Sequence, residues 1–171
     1  SALRLVCLAA LLGIAGLAAA SFALPVDGDL DVRYGVGGVA RSPDRDRAAY
    51  DPPVALACGP NGLCSLAAGR YIPDQDFSGS RYGSGGSFEG DFGTHFDLGG
   101  SLDDHPYATA VQRDGKVIQV GYATDSATVG DGLQAAIVRY SSILVPDPSF
   151  SANGKDNYNY PGDISIRAVA I

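Results

Sequence analysis

The residues with the means to do chemistry in this chain are mostly acids: 19 Asp and Glu stand against 12 Lys and Arg and 2 His, a net charge of −7. Asp27, Asp29 and Asp31 alternate as at the start of a calcium loop. An EF-hand needs glycine at its sixth place and glutamate at its twelfth, where this chain has Val32 and Gly38, so the run reads as strand and turn residues. Asp103, Asp104 and Asp163 stand on two further loops, and carboxylates repeated in this way could hold Ca²⁺. His105, beside Asp103 and Asp104, has the chemistry of a general base, but no nucleophile is placed by spacing and it reads as an exposed loop histidine. Tyr158 and Tyr160, in Asn-Tyr-Asn-Tyr, offer rings on which a sugar could stack; the competing reading is a loop packed on a sheet. Gly83-Ser84-Gly85-Gly86 has no helix after it, so it reads as a turn and not a phosphate cradle. No Gly-x-Ser-x-Gly or His-Glu-x-x-His occurs, and no catalytic residue is assigned.

Composition narrows the class. Glycine takes 23 of 171 positions and proline 10; apolar residues make up 46% and charged ones 18%. Disorder requires low hydrophobicity with high net charge, which this balance lacks. Dispersed glycines, each costing a helix ~1 kcal/mol relative to alanine, exclude a long helical bundle. A duplex-binding domain would be basic, so no nucleic-acid partner is expected.

Residues 1–23 stand apart. Arg4 precedes an almost wholly apolar run from Leu5 to Ala20, and Ala18-Ala19-Ala20 or Ser21-Phe22-Ala23 supplies small residues for cleavage, which together read as a secretory signal peptide. The run is shorter than the ~20 residues a membrane span needs, so no stable span is expected after cleavage. The mature part, 24–171, keeps Cys58 and Cys64. A pair of cysteines in an exported chain reads as a disulfide, and His95 and His105 lack the spacing to complete a zinc site with them.

Short apolar segments bounded by glycine and aspartate predict strands at 54–57, 108–112, 117–122 and 135–140. Asn61-Gly62 and Asp114-Gly115 predict tight hairpins of type I′, with the Cys58–Cys64 bond stapling the arms of the first. A constant shift of 58 residues matches Gly28–Gly35 to Gly86–Gly93, Arg81-Tyr82 to Arg139-Tyr140, Glu89 to Asp147, Phe92 to Phe150 and Ala110-Val111 to Ala168-Val169. The expected architecture is all-β: antiparallel sheet units of about 58 residues, at about 27–85, 86–143 and, in part, 144–171, resembling propeller blades in an incomplete ring. A sandwich with duplicated halves is the alternative.

Asp114-Gly115-Lys116-Val117-Ile118-Gln119-Val120-Gly121-Tyr122, Ile137-Val138-Arg139-Tyr140 and Asp147-Pro148-Ser149-Phe150 together resemble the delta-60 repeat of secreted bacterial proteins. The resemblance spans roughly 27–171, is strongest at 107–154, and implies blades of β-propeller type; it carries no catalytic residues. In the first unit Asn61-Gly62-Leu63 replaces Asp-Gly-Lys, and 41–51 is a polar insertion.

Shifting by 58 puts the next Asp-Gly turn just past Ile171, with 164–171 as the first strand of a third unit. This leads to the expectation of a fragment of a longer repeat protein, or of self-association through open sheet edges. The function expected is an exported, non-enzymatic repeat scaffold binding a protein or glycan at the cell surface or in the periplasm, without cofactor. The alternatives are a hydrolase or lyase acting on an extracellular polymer through loop carboxylates, and a Ca²⁺-stabilised adhesive module.

Overall fold

The computed structural model describes residues 31–41, 53–71, 75–96, 98, 103–125 and 132–171. Residues 1–23, expected to be a signal peptide, the Gly28–Leu30 part of the first repeat match, and Asp27 and Asp29 lie outside the described residues. The chain divides into Ser1–Leu30 and Asp31–Ile171, and every described residue belongs to the second unit. Among the described residues the fold is all-β, with no helix: β1 (Ala55–Cys58), β2 (Cys64–Tyr71), β3 (Gln75–Tyr82), β4 (Phe88–Thr94), β5 (His105–Val111), β6 (Val117–Thr124), β7 (Leu133–Tyr140) and β8 (Lys155–Tyr158). They form two four-stranded antiparallel sheets, β1-β2-β3-β4 and β5-β6-β7-β8, each an open meander with free edges.

The turns explain the meander. Gly62 donates to the Gly59 carbonyl and Gly59 to the Leu63 carbonyl; Gly115 and Gln112, Gly86 and Gly83, and Leu144 and Ser141 repeat the same pattern. The fourth residue of each turn has positive φ: 79° at Gly62, 83° at Gly115, 77° at Gly86 and 66° at Leu144. This is a type I turn closed by a left-handed residue. The expected type I′ geometry is therefore corrected, because Asn61 and Asp114 keep negative φ. Their side chains instead accept the N–H two residues on, at Leu63 and Lys116. The five-residue loop sets Cys58 opposite Cys64 in the ladder. There the two form the expected disulfide.

The two sheets repeat one another, but not at a single spacing. Cys64 pairs Tyr82 as Val117 pairs Tyr140. The second strands therefore correspond at a shift of 53, and the third strands at 58. The β6–β7 connection holds the additional residues. After the third strand the phase slips again: Ser80 pairs Asp91, whereas Val138 pairs Lys155. Six extra residues are looped out between Asp147 and Gly154, held by Phe150 N–H to the Asp147 carbonyl and Gly154 N–H to the Phe150 carbonyl. Phe150 thus sits in that loop, and Asp156 takes the ladder position equivalent to Phe92. The sequence match of Phe92 to Phe150 does not survive. The match of Arg81 and Glu89 to Arg139 and Asp147 does: Arg81 Nε lies 2.7 Å from Glu89, and Arg139 Nε 2.9 Å from Asp147.

Strand alternation sends β3 residues Gln75, Phe77, Gly79 and Arg81 to the face that meets the second sheet. Phe77, Phe92 and Phe96 form one cluster with Val117, Ala123, Ala136, Val138 and Tyr140. Phe92 meets Tyr140 across the sheets at 4.6 Å between centroids. Gly79 permits this approach: a Cβ there would lie 2.7 Å from Phe92 Cζ and 2.9 Å from Gln119 Nε2. Buried Gln119 donates to the Ser78 carbonyl at 2.8 Å, and Ser65 and Thr109 hydroxyls bond at 3.2 Å. Pro106 is tolerated in β5 because that strand is an edge and carries a bulge there.

Candidate functional site

Asp103 and Asp104 lie at the joint between the two sheets, and Asp163 at the junction of the second sheet with 164–171. Asp103 accepts the Gln75 N–H at 2.9 Å, while the Asp104 N–H donates to the Gln75 carbonyl. At the far side of the second sheet Asp163 accepts the Leu133 N–H at 3.2 Å, and the Ile164 N–H donates to the Leu133 carbonyl at 3.1 Å. Gln75 and Leu133 both begin a third strand, so one joint is built twice. Asp104 is 2% exposed, accepting Phe96 N–H at 2.6 Å and Thr124 N–H at 3.3 Å. Asp103 and Asp163 thus serve separate joints, and among the described residues no group of three His, Cys, Asp or Glu is placed to hold a metal ion. Asp31, the last of the alternating acids, is paired with Arg33, whose hydrogen bonds hold its carboxyl below the usual range.

A separate group of rings, His105, Tyr107, Tyr122 and Tyr158, lies on the outer face of the second sheet. His105, Tyr122, Ala135 and Tyr158 are successive ladder partners across β5, β6, β7 and β8, so they share that face. His105 lies 5.2 Å from Tyr107 and 5.8 Å from Tyr122, and the Arg167 guanidinium sits over Tyr107 at 3.8 Å. Burial, followed by neighbouring Tyr107, pushes the Tyr122 hydroxyl above its ordinary value. His105 is therefore a half-buried strand residue and not the exposed loop residue expected. Tyr158 and Tyr160 stack on each other at 6.3 Å and are 61% and 55% exposed. The period-two spacing of His105 and Tyr107 was a signal for this cluster; nothing local in the sequence announced Arg167.

A third cluster surrounds Asp147. Ser149 donates to it from its hydroxyl at 2.8 Å and its N–H at 3.0 Å, while Arg139 and Lys116 approach the other oxygen at 2.9 and 3.4 Å. The Ser149 bonds first, and then the two cations, lower the Asp147 carboxyl to about 2. A depressed carboxyl stabilises the fold above its unfolded value of ~3.9 and ceases to as pH falls to its folded value. Asp147→Asn is therefore expected to be less stable than the parent above about pH 4, the difference closing by about pH 2, as read from melting temperatures across that range. A difference constant through that window would contradict the assignment.

No protein-family model matches the chain, and no curated protein is similar to it. Among the described residues no helix is long and apolar enough to cross a membrane.

Proposed function

We propose that the chain is an exported, non-enzymatic repeat scaffold of β-propeller type that presents its exposed sheet faces and loops to a protein or glycan at the cell surface or in the periplasm. The observation that carries this reading is the repeated joint. An aspartate caps the first N–H of a third strand at Gln75 and again at Leu133, a device for laying sheet upon sheet. The carboxylates that an enzyme would use as acid and base are engaged otherwise: Asp104 with backbone N–H groups, Glu89 with Arg81, Asp147 with Arg139 and Ser149. The Cys58–Cys64 bond belongs in an oxidising compartment, which agrees with the leader at 1–23. Of the residues that resemble the delta-60 repeat, the Arg-Tyr strand end recurs, at Arg81-Tyr82 and Arg139-Tyr140, and so does the glycine-closed turn, as Asn61-Gly62 and Asp114-Gly115, while the Asp-Gly-Lys triplet stands once.

Expression with the leader in a bacterial host tests this reading. The expected product is a periplasmic or secreted chain whose mature N-terminus, by mass spectrometry, lies close to Ala20–Ala23, with Cys58 and Cys64 oxidised. An unprocessed cytoplasmic chain with free thiols would overturn it.

A further inference from the structure

We propose that the outer face of the second sheet is the seat of a third sheet of the same repeat, an inference that rests on the repeat reading above but not on export. Ladder position by ladder position, this face is the counterpart of the first-sheet face that the second sheet covers. Gln75, Phe77, Gly79 and Arg81 of β3, all buried, correspond to Leu133, Ala135, Ile137 and Arg139 of β7. Of these four only Ala135 is buried; Leu133, Ile137 and Arg139 are partly exposed. Their neighbours on β6, across the ladder, are Ile118, Val120 and Tyr122, and Tyr158 stands exposed beside them on β8. Val120 is 2% exposed, and Arg139 and Asp156 bring charge to the face, but at Leu133, Ile137 and Tyr158 it is apolar and less covered than its counterpart.

The start of a covering layer is already in place. Ile164 N–H bonds the Leu133 carbonyl, and Ile166 N–H the Gly121 carbonyl at 3.0 Å. The segment 164–171 is not a strand in this structure, contrary to expectation, but it enters at the joint where β5 enters on the first sheet. Asp163 stands to it as Asp103 stands to β5. At the existing interface Arg81 Nη1 also reaches forward to the Gly115 carbonyl in the β5–β6 turn, at 3.1 Å. A third sheet would bring the carbonyl of its own first turn to Arg139.

A second copy of the chain fits poorly. The part of a copy equivalent to the covering face is the other face of its first sheet, which carries Arg70, Asp76, Ser78 and Ser80 where the second sheet presents Ala123, Gln134, Ala136 and Val138. The occupant must instead present apolar residues at the places of Val117, Ala136 and Val138 and an amide at that of Gln119.

The test extends the chain after Ile171 with a copy of the sequence of 112–158, so that 164–171 serves as its first strand. In the extended protein the amides of 165–171 are expected to exchange at least tenfold more slowly, and Tyr158 to lose access to a soluble quencher. A control copy with serine at the positions of Val117, Ala136 and Val138 is expected to give neither change. Ile137→Asp is expected to abolish the protection in the extended chain while leaving the strands of the unextended chain folded. An appended copy that stays unfolded, or that folds without protecting 165–171, would overturn the proposal. So would sedimentation showing that the unextended chain dimerises and that Ile137→Asp restores the monomer, since the face would then belong to a second copy. Export of the protein is unaffected by either result.

Discussion

Replacing Phe77 by alanine is expected to lower the unfolding free energy by about 3–5 kcal/mol, the range for emptying an aromatic site in a core. Phe77 is fully buried on β3 and meets Phe96 edge-on at 5.3 Å. It belongs to the cluster that joins both sheets through Val117, Ala136 and Val138. The site cannot readily collapse, because β3 is laddered on both sides, to β2 and β4, and the cavity would persist. Leu56→Ala, at a side chain 65% exposed, is expected to change stability by no more than about 0.5 kcal/mol. Urea unfolding of the three proteins decides the matter; a loss below about 1 kcal/mol for Phe77→Ala would mean that the sheets are not held through this ring.

For Asp104→Ala the expected loss is about 2–5 kcal/mol. The buried carboxylate accepts the N–H groups of Phe96 and Thr124, and a buried donor left without a partner costs about 1–3 kcal/mol. Asp103 is exposed and holds a single strand-initial N–H, so Asp103→Ala is expected to cost less, about 1 kcal/mol. The pair of variants also separates a structural role from calcium binding. If Asp104 acts through the backbone, neither chelator nor added Ca²⁺ shifts the melting temperature of parent or variant. A Ca²⁺-dependent rise in the parent that disappears in Asp104→Ala would restore the metal reading.

Both predictions concern positions that the sequence marked unequally. Asp104 stood out as an acid beside another acid and a histidine, a grouping that offered Ca²⁺ binding as a candidate chemistry and gave no catalytic residue. Phe77 lies in Gln-Asp-Phe-Ser-Gly-Ser-Arg-Tyr, a stretch of low strand propensity from which no strand was expected. Cys64–Tyr71, rich in small residues, was expected only as the second arm of the Asn61-Gly62 hairpin, with no strand bounds of its own. These segments are strands because their neighbours ladder onto them and the second sheet approaches closely: a bulky residue at Ser65, Ala67 or Gly79 would keep the two sheets apart. Small residues on that face are a requirement of the interface, and an interface is not visible in local pattern. β8 escaped for a different reason. It is short and polar, and six inserted residues move it out of the phase set by β7.

By itself the sequence determined the all-β class, the positions of the glycine turns, the disulfide and the third-strand repeat of Arg-Tyr with its acid eight residues on. Each of these is local: a backbone bend that favours glycine, two thiols brought opposite by a five-residue loop, or a side-chain pair fixed by one turn. The tertiary structure alone decided which acids meet which backbone groups, that His105 lies in a strand among tyrosines, that Phe150 is looped out, and that one face of the second sheet is less covered than its counterpart. These depend on how strands register and how sheets approach, and insertions in the connections change both without altering the character of the residues on either side.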